Sequence, residues 1–218
     1  MENVLHLFSN KDAMMRQLLN LQESQEVLKP YSGEITKCIQ DSFNEFTEIQ
    51  KFSNRERFVE FNIRTKANII HDLIRSKITD TFSNTKNVET GDFNRIFGMN
   101  IDNQLFIRFK KMDRNFNVSA TLTKQHKKYR GQQELEGFPA RPTFLFAGYM
   151  PDKAWASLQG IYIACWHGDT LEWIDETGKY SYEQISLDLT STGNDIKEVI
   201  TRRITGKTGT EERKTGTN

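Results

Sequence analysis

Two side chains that together could hold a phosphate and transfer a proton stand seven residues apart in the first half of the chain. Arg64 and His71 fall in a segment whose apolar residues recur every three or four positions, a spacing that predicts a helix. Seven residues are nearly two helical turns, so both side chains are expected on one edge of that helix. An arginine and an imidazole placed in this way can orient a phosphate and move a proton. We therefore predict Arg64 and His71 as catalytic residues.

An arginine followed by six residues and a histidine resembles the minimal motif of HEPN ribonucleases, and the resemblance implies cleavage of RNA. The same residues also allow a structural interpretation. In that alternative, Arg64 pairs with Glu60 one turn earlier, and His71 lies beside the core. Substitution of His71 by alanine, followed by an assay of RNA cleavage or toxicity, distinguishes the two interpretations.

Charge is distributed unevenly along a chain that is almost neutral in total. The 218 residues carry 30 Lys and Arg against 29 Asp and Glu. Residues 108–141 contain nine basic and three acidic residues, whereas residues 169–188 contain six acidic residues and one lysine. The neutral total argues against indiscriminate binding of nucleic acid, while the polarised distribution allows an oriented contact with an oppositely charged surface.

A basic strand and the loop that follows it form a predicted nucleic-acid-binding surface. Cations along the strand and loop would contact phosphates, and the tyrosine would stack on a base. The alternative is a solvated sheet face whose lysines protect an edge from aggregation. The predicted binding residues are Arg108, Lys110, Lys124, Lys127, Lys128, Tyr129 and Arg130.

Other site chemistries find little support in the sequence. The four histidines are scattered without metal-ligand spacing, so neither a metal nor a cofactor is expected. Gly206-Lys207-Thr208 ends like a phosphate-binding loop but lacks the required first glycine, because position 201 is threonine. Cys38 and Cys165 stand among apolar neighbours, which predicts burial and a reducing cytoplasmic location. An enzyme that acts on a small molecule through residues distant in sequence stays open.

Helical patterns occupy the first part of the chain, residues 1–90. A first helix is predicted from a cap at residues 9–12 to Pro30, a second spans residues 35–49, and a third runs from the capping box at residues 53–56 to about Phe82. A stripe with a period of seven lies on the first helix and would pack within the chain or join two copies as a homo-oligomer. Its residues are Leu7, Met14, Leu21 and Leu28.

After about residue 92 the apolar period changes to two, which predicts strands. We expect an α+β fold in which the N-terminal helices pack on an antiparallel sheet of about five strands within residues 91–190. A short helix is predicted at 191–205 and a disordered tail at 206–218. The expected strands lie at 105–110, 118–123, 143–149, 161–166 and 171–174, with a hairpin turn at 167–170.

The segment Gly137-Phe138-Pro139-Ala140-Arg141-Pro142-Thr143-Phe144-Leu145-Phe146-Ala147-Gly148-Tyr149, followed by residues 161–166, resembles a pattern in poorly characterised bacterial proteins. Those proteins are often encoded beside helix-turn-helix and zinc-peptidase regulators of the ImmA/IrrE type, in toxin–antitoxin or phage-defence pairs. The resemblance implies that this chain acts with a cognate protein partner, which would be such a regulator.

Two functions from different classes are compatible with these patterns. The first is a soluble cytoplasmic interaction protein, either the toxin or effector of a toxin–antitoxin or phage-defence module or its partner. The alternative is a nucleic-acid-binding protein or ribonuclease that uses the basic strand and loop. No apolar stretch approaches the length of about 18 residues that a membrane span needs, so no membrane contact is expected.

Overall fold

The computed structural model describes residues 18–52, 61–118, 121, 123–138 and 141–177. Within them the chain forms three helices, then three strands, a short helix and three more strands. The helices are α1 (Leu21–Leu28), α2 (Ser32–Phe52), α3 (Ile63–Phe82) and α4 (Lys124–Arg130). The strands are β1 (Val88–Phe93), β2 (Ile96–Ile101), β3 (Leu105–Lys111), β4 (Thr143–Pro151), β5 (Leu158–His167) and β6 (Thr170–Glu176).

The six strands form one sheet in which spatial order follows chain order, β1 to β6. Every neighbouring pair is antiparallel except the central one, where β3 and β4 run parallel. The predicted α+β class is confirmed. The sheet is mixed and has six strands, whereas about five antiparallel strands were expected.

The pairing of β3 with β4 is parallel because, among the described strands, none at the predicted position 118–123 lies between them. In this region Val118 makes only an isolated antiparallel bridge with Met112. Thr123 then caps α4, because its side-chain oxygen accepts a hydrogen bond from the His126 amide at 3.1 Å. The chain therefore crosses one face of the sheet before β4 pairs with β3, and a crossover of this kind places the second strand parallel to the first.

Apolar residues cover both faces of the sheet, as alternation along the strands requires. Ile107 and Phe109 of β3 face the cluster formed with α1, α2 and α3. Phe106, which precedes Ile107, faces the opposite side and packs in a second cluster that includes Tyr129 of α4. The central strands are consequently buried on both sides, which accounts for the nearly continuous apolar sequence of β4.

The end of α3 agrees with the prediction from the sequence, whereas the starts of α1 and α3 differ from it. Asn20 caps α1 in a capping box with Glu23, so this helix begins at Leu21 and not at the predicted cap at residues 9–12. Helix α3 ends at Phe82, as predicted, but it begins after the Asn62 cap, whereas the predicted start was the capping box at residues 53–56. The capping box at 53–56, Leu7 and Met14 lie outside the described residues, whereas Leu28 packs in the core of this chain.

Both cysteines are buried, as predicted, and burial raises the pKa of the Cys38 thiol. The hairpin turn at 167–170 is also confirmed, with Gly168 in the left-handed region at a φ of 62°. The short helix predicted at 191–205 and the tail at 206–218 lie outside the described residues. Among the helices that are described, none is both long and apolar enough to span a bilayer.

Candidate functional site

A cleft of about 700 Å³ opens along the second half of β3. Strand β2 pairs with β3 only as far as the contact between Met99 and Ile107. The next residues of β3, from Arg108 to Lys111, line the cleft and keep only β4 as a paired neighbour among the described strands. The end of the β2 pairing thus frees one side of β3 for contact with a ligand.

Helix α3 forms one wall of the cleft through residues on one helical face. Arg64, Ala67, Asn68 and His71 follow a spacing of three and four residues, so their side chains lie along one edge. The Asn62 side chain, which accepts a hydrogen bond from the Thr65 amide at 2.9 Å, fixes where this helix begins. The cap therefore determines which residues face the cleft.

The segment that leads into α4 forms the opposite wall, with Thr121, Thr123, Gln125 and His126. Gln125 donates a hydrogen bond of 2.7 Å to the backbone oxygen of Asn94, in the turn between β1 and β2. This bond fastens the start of α4 to the first hairpin. Both walls are consequently held by caps and hydrogen bonds to neighbouring elements.

The cleft is strongly cationic. Arg64, Arg108, Lys110 and Lys111 line it, and none of its lining residues, all from the described part of the chain, is a carboxylate. The Arg108 guanidinium packs 5.0 Å from the centre of the Tyr129 ring. Its Nε is buried and has no hydrogen-bond acceptor among the described residues. A buried donor without an acceptor is unfavourable unless a ligand supplies one.

Burial disfavours the charges in the cleft. Burial, with the neighbouring Arg108 charge as the second cause, lowers the pKa of Lys110 to about 8. Burial also lowers the pKa of Arg108. At neutral pH both side chains are still cationic, and none of the described lining residues is an anion that would compensate them. An anion in the cleft would relieve this repulsion.

Two imidazoles share the cleft. Burial, and then the Lys110 charge, lowers the pKa of His71, although the Asp72 carboxylate 3.5 Å from its Nδ1 acts in the opposite direction. Burial, and then the Arg108 charge, lowers the pKa of His126, whose Nδ1 is buried without a hydrogen-bond partner among the described residues. Both rings are consequently neutral at pH 7 and able to accept a proton.

The fold brings together residues that the sequence analysis had treated as two separate sites. Arg64 and His71, the predicted catalytic pair, line the same cleft as Arg108 and Lys110 from the predicted nucleic-acid-binding surface. Glu60, the alternative partner of Arg64, lies outside the described residues. His71 packs edge-on against the Phe97 ring at 6.1 Å, so it borders the core as well as the cleft.

The remaining predicted binding residues lie elsewhere. Lys124, Lys127 and Lys128 are exposed on α4 and do not line the cleft. Arg130 is engaged in the fold: its Nε donates to the Gly168 oxygen at 2.6 Å, and its guanidinium lies 4.1 Å from the centre of the Trp166 ring. These contacts hold the end of α4 against the hairpin between β5 and β6.

The prediction that Tyr129 stacks on a base is wrong. Its side chain is fully buried, and its hydroxyl lies 3.1 Å from the Phe106 oxygen and 2.6 Å from the Leu145 oxygen. Burial raises the pKa of Tyr129 well above its ordinary value. The side chain faces the sheet because residues 124–130 form a helix, whereas a loop was expected.

His126 and Lys111 are cleft residues that were absent from the predicted site. His126 was placed in a loop, and the signal that could have found it is Thr123, a helix cap three residues earlier. Lys111 continues the strand that was expected to end at residue 110.

In comparisons with known proteins, no family model, no curated protein and no solved structure matches this chain.

Proposed function

We propose that this protein binds the phosphate backbone of single-stranded nucleic acid in the cleft between α3 and α4. One observation carries the proposal: among the described residues, four cations from two distant segments line a cleft that no carboxylate lines, and the Arg108 Nε there is buried without an acceptor. Phosphate oxygens would accept hydrogen bonds from the accessible donors of these cations and offset the repulsion between them.

The position of the cations favours a single strand over a duplex. Arg108 and Lys110 are largely buried in the cleft, while Arg64 stands exposed at its margin. A flexible strand can turn a phosphate towards a recessed cation, whereas the phosphates of a rigid duplex follow a fixed helical path. The exposed lysines of α4, such as Lys127, would add attraction at longer range without contacting the recessed phosphate.

The test is a titration of labelled single-stranded RNA and DNA, followed by fluorescence anisotropy at several salt concentrations. Contact with about three or four phosphates predicts a slope of log K against log salt of about −2 to −3. The double variant Arg64→Gln with Lys110→Gln should weaken binding by at least about tenfold and make this slope shallower by about 0.7 for each lost phosphate contact.

The matched control is the double variant Lys127→Gln with Lys128→Gln, which removes two exposed charges outside the cleft. It should change the affinity by less than about threefold. Equal weakening by both double variants would show that binding depends on total charge. Undetectable binding by the unaltered protein at low salt would contradict the proposal outright.

The role in a two-protein toxin–antitoxin or phage-defence module stays a prediction. It derives from the resemblance of residues 137–149 and 161–166 to bacterial proteins encoded beside regulators. Coexpression with the product of a neighbouring gene, followed by purification and a growth assay, tests it. Nucleic-acid binding in the cleft is compatible with such a role, since an effector of this kind can act on RNA.

A further inference from the structure

His71 and His126 occupy opposite walls of the cleft and respond to the same two cations. The charges of Lys110 and Arg108 each lower the pKa of both imidazoles. Both rings line the same cleft as Arg108 and Lys110 of β3, the cations at which a bound phosphate would lie. Two proton-transfer groups on either side of a cationic phosphate position are the components that cleavage of a phosphodiester requires.

We propose that the cleft cleaves RNA, with His126 as the general base, His71 as the general acid and Lys110 as the group that stabilises the charged phosphorus intermediate. This activity rests on the proposed binding of single-stranded nucleic acid. The charged groups around each ring assign the two roles. Burial, and then the charges of Arg108 from β3, Arg130 from its own helix and Lys110 from β3, lower the pKa of His126 and favour a neutral imidazole. The Phe146 ring of β4 lies 6.2 Å from the His126 ring.

His71 differs because one carboxylate opposes the surrounding cations. Its neighbours are Lys110 and Arg108 from β3, the Phe97 ring from β2 and Asp72 from its own helix. The Asp72 carboxylate, 3.5 Å from Nδ1, stabilises the protonated ring, which is the form that donates a proton. His71 is therefore the better proton donor of the two.

The reaction transfers two protons and exchanges one bond to phosphorus for another. His126 accepts the proton of the ribose 2′-hydroxyl while the 2′-oxygen forms a bond to phosphorus. The bond from phosphorus to the 5′-oxygen breaks, and protonated His71 gives its proton to that leaving oxygen. The products are a 2′,3′-cyclic phosphate and a 5′-hydroxyl, with nothing oxidised or reduced and no water consumed. DNA lacks the 2′-hydroxyl, so it would bind without being cleaved.

The test uses a DNA oligonucleotide that contains a single ribonucleotide, with the all-DNA oligonucleotide as the matched substrate. Both should bind, and only the first should be cut, on the 3′ side of the ribonucleotide, with a 2′,3′-cyclic phosphate detected by mass spectrometry. The rate constant kcat/KM should follow a bell-shaped pH profile with its maximum below pH 6.5, because both imidazole pKa values lie below that ordinary value.

The variants His71→Asn and His126→Asn should each lower the cleavage rate by about 100-fold or more. His167→Ala is the control, because His167 is exposed in the hairpin between β5 and β6 and does not line the cleft. Circular dichroism verifies folding of the variants. His71 is only partly buried, so its variant keeps the test decisive if substitution of the buried His126 prevents folding.

Binding measured on the same samples separates the two proposals. RNA that binds but stays intact, or cleavage that both asparagine variants retain at the rate of the unaltered protein, would overturn the catalytic proposal and leave the binding proposal standing. Cleavage of the all-DNA oligonucleotide at the same rate would also overturn it, because the 2′-hydroxyl would then have no role. Absence of binding at low salt would remove both.

Discussion

Lys110 and Arg108 carry like charges two residues apart on β3, in a setting that burial makes unfavourable. Side chains selected only for stability would be apolar or would have a carboxylate beside them. Within the described part of the chain, no residue that lines the cleft provides a carboxylate. The pair therefore destabilises the folded protein in the absence of a ligand, as functional residues commonly do.

Substitution of Lys110 by methionine should increase the free energy of unfolding at pH 7 by about 1 to 3 kcal/mol, because it removes a buried charge beside Arg108. Urea denaturation measures the difference. Folding lowers the pKa of Lys110 from 10.5 to about 8, so the destabilisation is complete below pH 8 and disappears as the pH rises towards 10.5.

The advantage of the Lys110→Met variant should therefore shrink between pH 8 and pH 10.5. Lys128→Met, on the exposed surface of α4, is the control and should change stability by less than about 0.5 kcal/mol at either pH. A Lys110→Met variant less stable than the unaltered protein would show that the ammonium group has a favourable contact in the fold, contrary to this interpretation of the cleft.

Tyr129 gives a second prediction at the scale of one residue. Its hydroxyl lies within hydrogen-bond distance of the backbone oxygens of Phe106 and Leu145, which belong to the two central strands. Tyr129→Phe should lower the free energy of unfolding by about 1 to 3 kcal/mol, because buried carbonyls lose a donor. The affinity for single-stranded RNA should stay within about twofold, because Tyr129 is buried and does not line the cleft.

Tyr149→Phe is the comparison for Tyr129→Phe. Its hydroxyl is 3.4 Å from the Ala67 oxygen, a longer and weaker contact than those of Tyr129. We expect a loss of stability of less than about 1 kcal/mol, measured by the same urea denaturation. A larger loss for Tyr149→Phe than for Tyr129→Phe would contradict the conclusion that the two contacts of the Tyr129 hydroxyl contribute more to stability than the single contact of the Tyr149 hydroxyl.

At the scale of elements, the end of the pairing between β2 and β3 defines the open side of the cleft. Gly98 of β2 lies one residue beyond the last paired residue, Met99. A Cβ atom at Gly98 would lie 2.4 Å from the Phe106 ring and 2.6 Å from the Ile107 backbone oxygen. The close approach of β2 to β3 at this point therefore depends on glycine.

Gly98→Ala should lower the free energy of unfolding by about 2 kcal/mol or more, because the ring of Phe106 is buried and the Ile107 oxygen belongs to a central strand. Gly33→Ala is the matched control: Gly33 lies in α2, and a Cβ atom there would meet nothing within 4 Å. It should be neutral or stabilising by up to about 1 kcal/mol. Thermal and urea denaturation of the two variants measure the contrast.

Elements with strong local signals could be predicted from the sequence, and others could not. The end of α3 at Phe82 and the hairpin between β5 and β6 follow from apolar periodicity and turn residues. The hairpin of β1 and β2 turns at Asn94 and Arg95, both with positive φ, and arginine is an unusual residue there. Helix α4 could not be predicted because its seven residues are mostly polar and too few to show the apolar periodicity of a helix.

At the scale of the whole molecule, the site depends on contacts that no local pattern contains. Arg64, His71, Arg108 and Lys110 could all be singled out by residue type and spacing, but as members of two unrelated surfaces. Their convergence on one cleft requires the mixed sheet, in which the chain crosses one face and returns beside β3. The alternation at 118–123 indicated another strand, and the tertiary fold overrode that local preference.

The parallel contact between β3 and β4 also has a kinetic consequence. Parallel neighbours cannot be joined by a tight turn. Pairing of β3 with β4 therefore closes residues 112–142 into a loop and carries the entropic cost of that closure. Helix α4 belongs to that loop, and the wall that carries His126 is therefore complete only after the pairing with the greatest sequence separation has formed. A saturating single strand should slow global unfolding while leaving the folding rate unchanged, because the species before the transition state have no cleft to occupy.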